Sequence, residues 1–230
     1  MAATAPLSPS PHDREVIRSL MARTHEAATE SRAGGQAEAW RRLNDLEPTR
    51  TLVWVNEEPW TELQHEFPEE LTPVCADPFL QGVERGLRMQ LFRWTHYRAD
   101  MVVNDRIDSP MAIRLGDIGV PVEEAFIRNE GQDIGSHGFR RTINTLEDVA
   151  RIEAPDVIHD PEETERRLTV LRELADGVIA VEPRGVSHQW FALWDRLIRN
   201  LGVQDAMLDL FILTGVDVDD LVAANFDLVD

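Results

Sequence analysis

The stretch Leu52-Val53-Trp54-Val55-Asn56-Glu57-Glu58-Pro59-Trp60 decides how the rest of the chain is read. Its four apolar residues include two β-branched side chains and an indole, a composition that suits a strand. The run stops at an amide and two carboxylates, then a proline and a second indole. A buried strand that ends this way presents chemistry at the carboxyl edge of a sheet, where α/β proteins hold their ligands. The same residues also describe a strand followed by an ordinary polar loop.

Working outward, Asp77-Pro78 opens the clearest helix. Asp77 is placed to cap it, and Phe79, Val83, Leu87, Leu91 and Trp94 form one apolar stripe, with Glu84, Arg85 and Arg88 off it. Met101-Val102-Val103 follows as a short buried strand ending at Asn104-Asp105. Asp160-Pro161-Glu162-Glu163 is a strong helix start, and that helix carries Leu168, Leu171 and Leu174 to a stop at Gly177. Val178 to Val181 then reads as a third strand, ending at Glu182-Pro183-Arg184-Gly185. Strand, helix and strand with a long connection is a parallel crossover by default.

The flanks are different in kind. Met1 to Pro11 has Ala, Ser and Pro without an apolar signal-peptide core, and residues 1–10 read as a disordered tail on a cytoplasmic protein. Residues 11–48 form a helical extension, capped at Ser10-Pro11 and broken at Gly34-Gly35. Residues 49–230 hold the strand–helix units. Within them, about 107–143, short β-prone pieces (Ala112 to Leu115, Ala125 to Arg128, Phe139 to Ile143) alternate with glycines and predict an inserted antiparallel ribbon. Thr145 caps a short helix through Ile152. Helices over Trp190 to Leu201, near 205–213 and near 218–228 complete the chain.

Composition sets the limits. The chain has 230 residues and is 43% hydrophobic, as globular proteins are. A formal net charge of −19 repels phosphate backbones and argues against nucleic acid as a partner. No apolar run reaches membrane-spanning length. The single cysteine, Cys75, permits no internal disulfide and no thiolate metal cluster, and reads as a packed small residue. All 23 basic side chains are arginine, which excludes Schiff-base chemistry and a phosphate-loop lysine from within the chain. The glycines form no dinucleotide fingerprint, and no serine nucleophile elbow is present.

The three strand ends offer one constellation: Asn56, Glu57 and Trp60 after the first, Asn104 and Asp105 after the second, Arg184, Ser187 and His188 after the third. Parallel neighbouring strands would gather these groups at one edge, a set suited to binding a polar ligand and moving protons. Helix caps and loop salt bridges use the same residues. His137, in Gly135-Ser136-His137-Gly138, is either a site residue or a surface-loop histidine. Asp156-x-x-His159-Asp160 has a metal-like spacing, but Asp160 is better explained as a helix cap.

Leu46-Glu47-Pro48-Thr49-Arg50 before the opening stretch, then Cys75-Ala76-Asp77-Pro78-Phe79-Leu80, then Ala99 to Val103, resembles the uroporphyrinogen decarboxylase superfamily. The branch it resembles more closely is the uroporphyrinogen decarboxylase-like, corrinoid-linked methyltransferases. The likeness runs from about Trp40 to about Leu210. It implies the amino-terminal part of a TIM (β/α)8 barrel, with about three parallel strands; a complete barrel typically needs about 250 residues.

By this resemblance Glu57 and Asp105 are acid–base or ligand-orienting groups, and Asn56, Trp60, Asn104, His137, Arg184, Ser187 and His188 line the pocket. Glu182 to Ser187 sits where the family's third strand meets the pocket. The decarboxylases carry arginines after the first strand, to hold substrate carboxylates; here the matching place has two acids, which disfavours that activity. The resemblance therefore implies transfer of a one-carbon group on a small-molecule substrate, with a corrinoid protein as partner. Zinc and a corrinoid are expected for an intact barrel, with zinc ligands from its later strands. Tetrapyrrole decarboxylation is the alternative within the fold. A truncated remnant, or a half-barrel subunit associating through exposed barrel edges, is the alternative outside catalysis. Phe211 to Asp230 departs from the family pattern, as a truncation or an altered reading frame would produce.

Overall fold

The computed structural model describes residues 9–128, 135–186 and 192–211. The first half holds α1 (Pro11–Ala33), α2 (Gln36–Asn44), α3 (Trp60–Glu66), α4 (Pro68–Leu71) and α5 (Pro78–His96). Then come β1 (Arg106–Pro110), β2 (Ile113–Leu115), β3 (Glu123–Arg128), β4 (Gly135–Arg140) and α6 (Leu146–Val149). β5 (Val157–His159), α7 (Pro161–Ala175), β6 (Ala180–Arg184), α8 (Leu193–Leu201) and α9 (Val203–Phe211) complete them. The chain mixes helix and strand in the α/β manner, and it divides into two units.

The first unit comprises Met1–Met111 and Pro161–Gly185. Ser10 starts α1 with a reciprocal capping box: its hydroxyl accepts the Asp13 amide at 3.1 Å, and the Asp13 carboxylate accepts the Ser10 amide at 3.1 Å. Gly35 ends the run with a positive φ of 74°, which only glycine adopts at no steric cost. Asp77 caps α5 by accepting the amides of Phe79 and Leu80 at 2.9 and 3.0 Å. The core is one cluster: Ile17, Leu20 and Met21 of α1, Leu80, Leu87, Leu91 and Trp94 of α5, Leu168, Leu171 and Leu174 of α7, with Ile107 and Val181 from the strands. Each fully buried leucine there contributes about 1.5–3 kcal/mol. The helical segment expected as an extension thus supplies core residues to this unit.

Strands β1 and β6 are parallel, with Ile107 opposite Val181 and Asp108 opposite Glu182. Period-2 alternation buries Ile107, Ser109 and Val181, and leaves Arg106, Asp108, Glu182 and Arg184 on the other face. α7 leads into β6 and packs on both strands; the crossover expected from 51–55 through the Asp77 helix to 101–103 is absent, since 51–55 forms no strand.

Three sequence expectations need correction. The segment 51–55 is not a strand: among the described residues its one backbone–backbone pairing is at Val53, and Val53 and Trp54 are 51% and 50% exposed. A single paired residue builds no ladder, and the surrounding helices leave the segment at the surface. The strand expected at Met101–Val103 lies instead at Arg106–Pro110, and the one expected at Val178–Val181 at Ala180–Arg184. The described strands form three separate two-stranded sheets rather than three neighbouring parallel strands.

The second unit comprises Ala112–Asp160 and Val186–Asp230. Its β3–β4 hairpin is antiparallel, with Phe126 opposite His137, and β2 pairs antiparallel with β5. The range 107–143, expected as one ribbon, therefore divides: β1 belongs to the first unit, and β2 to β4 to the second. A small core of Val120, Ile143, Leu197, Leu201 and Ala206 holds it, fastened by the Thr142 amide to the Asn200 carbonyl at 2.8 Å and by Asn200 Nδ2 to the Pro121 carbonyl at 3.3 Å.

Candidate functional site

The first unit carries a groove of about 670 Å³ between one face of α5 and the β1–β6 pair, within the range of small-molecule sites. Phe79, Gly82, Val83, Gly86 and Leu87 supply the helix side at helical spacing. Asn104, Arg106, Asp108 and Pro110 supply the strand side, and Arg184 and Gly185 the carboxyl end of β6. α5 offers this open face because glycine stands at two positions one turn apart. A Cβ added at either would meet nothing within 4 Å.

Charged side chains on the exposed face of the strand pair form a ladder. Arg106 Nη1 donates to Glu182 Oε2 at 3.0 Å, and Arg106 Nε faces Asp108 Oδ1 at 3.4 Å. Arg184 Nη1 donates to Asp108 Oδ2 at 2.7 Å. Two guanidiniums and two carboxylates thus balance one another. The parallel register sets Asp108 beside Glu182, and it is the arginines that make this like-charge neighbour tolerable.

Of the residues predicted for a common pocket, the structure brings Asn104 and Arg184 to this groove. Asn56, Glu57, Trp60 and Asp105 are not among its lining residues. Without a strand at 51–55, the segment after it runs along the carboxyl-terminal half of α5. There Glu58 is bidentate to Arg93 at 2.6 and 2.7 Å, the Arg93 guanidinium lies 5.0 Å from the Trp60 ring centroid, and Arg93 Nη2 donates to the Asn56 carbonyl at 3.5 Å. Arg93 stands three turns beyond Gly82, about 16 Å of helix. Trp60 and Phe67 both meet Phe92 edge-on, so the indole is a packing residue of α3 on α5. Glu57 is exposed.

Asp105 points away from Asn104 and Arg106, as alternation requires, and meets α1. His25 Nδ1 lies 2.7 Å from its Oδ1, and Arg32 Nη2 donates to its Oδ2 at 3.3 Å. Sequence reasoning missed both partners: they lie more than seventy positions away, and α1 was read as an appendage. It missed Arg106 and Asp108 too, because the strand expected at 101–103 was placed several residues early. His137 lies in the second unit, on β4, where it pairs with Glu124 and packs against Phe126 with ring centroids 5.0 Å apart. Ser187 and His188 lie outside the described residues.

Two further carboxylates are buried for structural work. Glu84, expected off the apolar stripe, is fully buried: it accepts the amides of Val74 and Cys75 at 2.9 and 2.8 Å, and Arg88 Nε at 2.7 Å. Burial pushes its pKa up, but the Cys75 amide, Arg88 and the remaining hydrogen bonds outweigh that and hold it below the usual carboxylate value. Asp13, likewise buried, accepts the next amide, Ala76, at 2.8 Å. Cys75 is enclosed by these groups; burial first, then the Glu84 and Asp13 carboxylates, raise its thiol pKa strongly. Such a thiol is neither nucleophile nor metal ligand at neutral pH.

Among the described residues no group of three or more His, Cys, Asp or Glu side chains could hold a metal ion, so the donors present there do not fit a zinc site. The Asp156–His159 spacing belongs to the same negative finding. Among the described residues no helix is long and apolar enough to cross a membrane. Compared with protein-family models, with curated proteins and with solved structures, the chain matches none of them.

Proposed function

We propose that the chain is a uroporphyrinogen decarboxylase-like protein whose first unit is the amino-terminal part of a (β/α)8 barrel, and that it transfers a one-carbon group, with a corrinoid protein as its partner. The observation that carries this reading is the parallel β1–β6 pair with α7 packed on it, whose polar residues Asn104, Asp108 and Arg184 line one groove. Arg184 closes the carboxyl end of β6, where α/β sheets hold their ligands, while Asn104 precedes β1 and lines the groove toward its other end. In this reading Asn104 and Arg184 contact substrate, Asp108 orients Arg184, and Glu57 stands apart from the chemistry. Asp105, held by His25 and Arg32, fixes α1 to the chain just before β1.

The balanced Arg106–Asp108–Arg184–Glu182 ladder favours methyl transfer over tetrapyrrole decarboxylation. A substrate with many carboxylates needs surplus cations, and here each guanidinium already has a carboxylate. The test is methylation of free cob(I)alamin by a panel of N-, O- and S-methyl compounds, followed by absorbance. The reading predicts methylcobalamin formation that Arg184→Ala reduces at least tenfold and Glu57→Gln leaves unchanged. Carbon dioxide release from a porphyrinogen, with no methyl transfer from any donor, contradicts it.

A further inference from the structure

We infer that the groove takes an uncharged, planar, ring-sized ligand that lies flat on the Gly82–Gly86 face of α5; this rests on the reading of the groove as a ligand site. A glycine inside a helix costs about 1 kcal/mol relative to alanine. Neither glycine has a positive φ, and a Cβ at either position would meet open space, so neither backbone geometry nor internal packing calls for them. What they create is a bare strip of helix backbone about 6 Å long, the rise of four residues, facing the groove. Phe79, Val83 and Leu87 border that strip with apolar surface suited to a ring.

The charge of the ligand follows from the ladder. Arg106 lies within ion-pair distance of Asp108 and Glu182, and Arg184 within ion-pair distance of Asp108, so each of these guanidiniums already has a carboxylate. A charged ligand competes with one of these pairs for its partner. A neutral ligand does not, and a carbonyl-type acceptor at its edge meets Asn104 and the Arg106 guanidinium. A guanidinium has five N–H donors, and Arg106 commits Nε and Nη1 to its carboxylates.

Three isosteric probes test this on the full chain by calorimetric titration: 2-naphthamide, 2-naphthoate and 2-naphthamidine. The inference predicts that the amide binds at least tenfold tighter than either charged analogue. Gly82→Ala and Gly86→Ala provide the second arm. Each should raise Tm, by about 2–4 °C, because alanine is the better helix former. Each should also weaken naphthamide at least fivefold, since the methyl group occupies the floor. If a charged analogue binds as well as the amide, and the alanine variants weaken that binding, the groove is a ligand site and the charge class inferred here is wrong. If no probe binds, or the alanine variants leave binding unchanged, the groove is not the site. A lower Tm in both variants contradicts the glycine argument itself.

Discussion

The amide of Val53 donates to the Asp100 carboxylate at 2.9 Å, while the amide of Asp100 donates to the Val53 carbonyl at 3.1 Å. One residue thereby satisfies both backbone groups of another, the exchange a ladder partner would make. Arg50 pairs with the same carboxylate, and Trp40 Nε1 donates to the Asp100 carbonyl at 2.7 Å. Trp54 then meets Trp40 edge-on, ring centroids 6.3 Å apart. The apolar stretch after Arg50 is positioned by this single polar hub, not by a sheet.

Protonating Asp100 should release that segment. The Arg50 hydrogen bond first, then the Val53 amide, lower its pKa to about 2 from the ordinary 3.8. A depressed carboxylate stabilises the fold fully above its unfolded value and loses the effect as pH falls through the folded one. The protection factor of the Val53 amide should hold constant above pH ~4 and fall between pH ~4 and ~2. In Asp100→Asn, which cannot pair with Arg50 as an anion, protection should be low at every pH, with no step. Amide exchange followed by NMR reads both.

Replacing Glu84 with glutamine should destabilise the protein by about 2–4 kcal/mol, because Arg88 then loses its charge partner beside a buried site. Glu62→Gln, on an exposed face of α3, should stay within about 0.5 kcal/mol. Urea denaturation measures both. Glu84 is also held in its charged form, so the wild-type advantage over Glu84→Gln should shrink as pH falls below the ordinary carboxylate value.

Cys75 should be inert in the native state. An aromatic disulfide reagent at neutral pH should release no chromophore from folded protein and one equivalent after denaturation. Reaction in the native state would contradict both its burial and its raised pKa.

In the second unit, Gly119→Ala should cost more than about 1–2 kcal/mol. Gly119 has a φ of 81°, and an added Cβ would collide with the Arg151 carbonyl oxygen. Gly202→Ala, at φ 77° and 3.0 Å from the Phe139 carbonyl oxygen, should cost somewhat less. Thermal unfolding of the two variants checks the order.

Helix starts were legible in the sequence because capping is local. Ser10, Asp77 and Thr145 each cap where a polar residue precedes an apolar repeat, and each hydrogen bond spans two or three residues. The strands were not equally legible. Leu52 to Val55 has the composition of a strand, but whether it becomes one depends on a partner, and among the described residues its backbone meets Asp100 alone at Val53. Arg106–Pro110 has the composition of a loop, yet β6 pairs with it residue by residue. Of the candidate site, Arg184 was readable because it closes a true strand; Asn104 was read as a strand's carboxyl end but precedes β1, and it reaches the groove from the amino side. The charge ladder was not readable, since Asp108 and Arg184 come together only through a register fixed seventy-six residues apart.

The parallel register of β1 and β6 is the claim on which the groove and its proposed chemistry depend. Interstrand backbone NOEs in deuterated, amide-protonated protein measure it directly. The structure predicts contacts that advance together, from Arg106–Ala180 through Ile107–Val181 to Asp108–Glu182. Contacts running the opposite way, from Arg106–Arg184 to Ser109–Val181, or none between these segments, would contradict it.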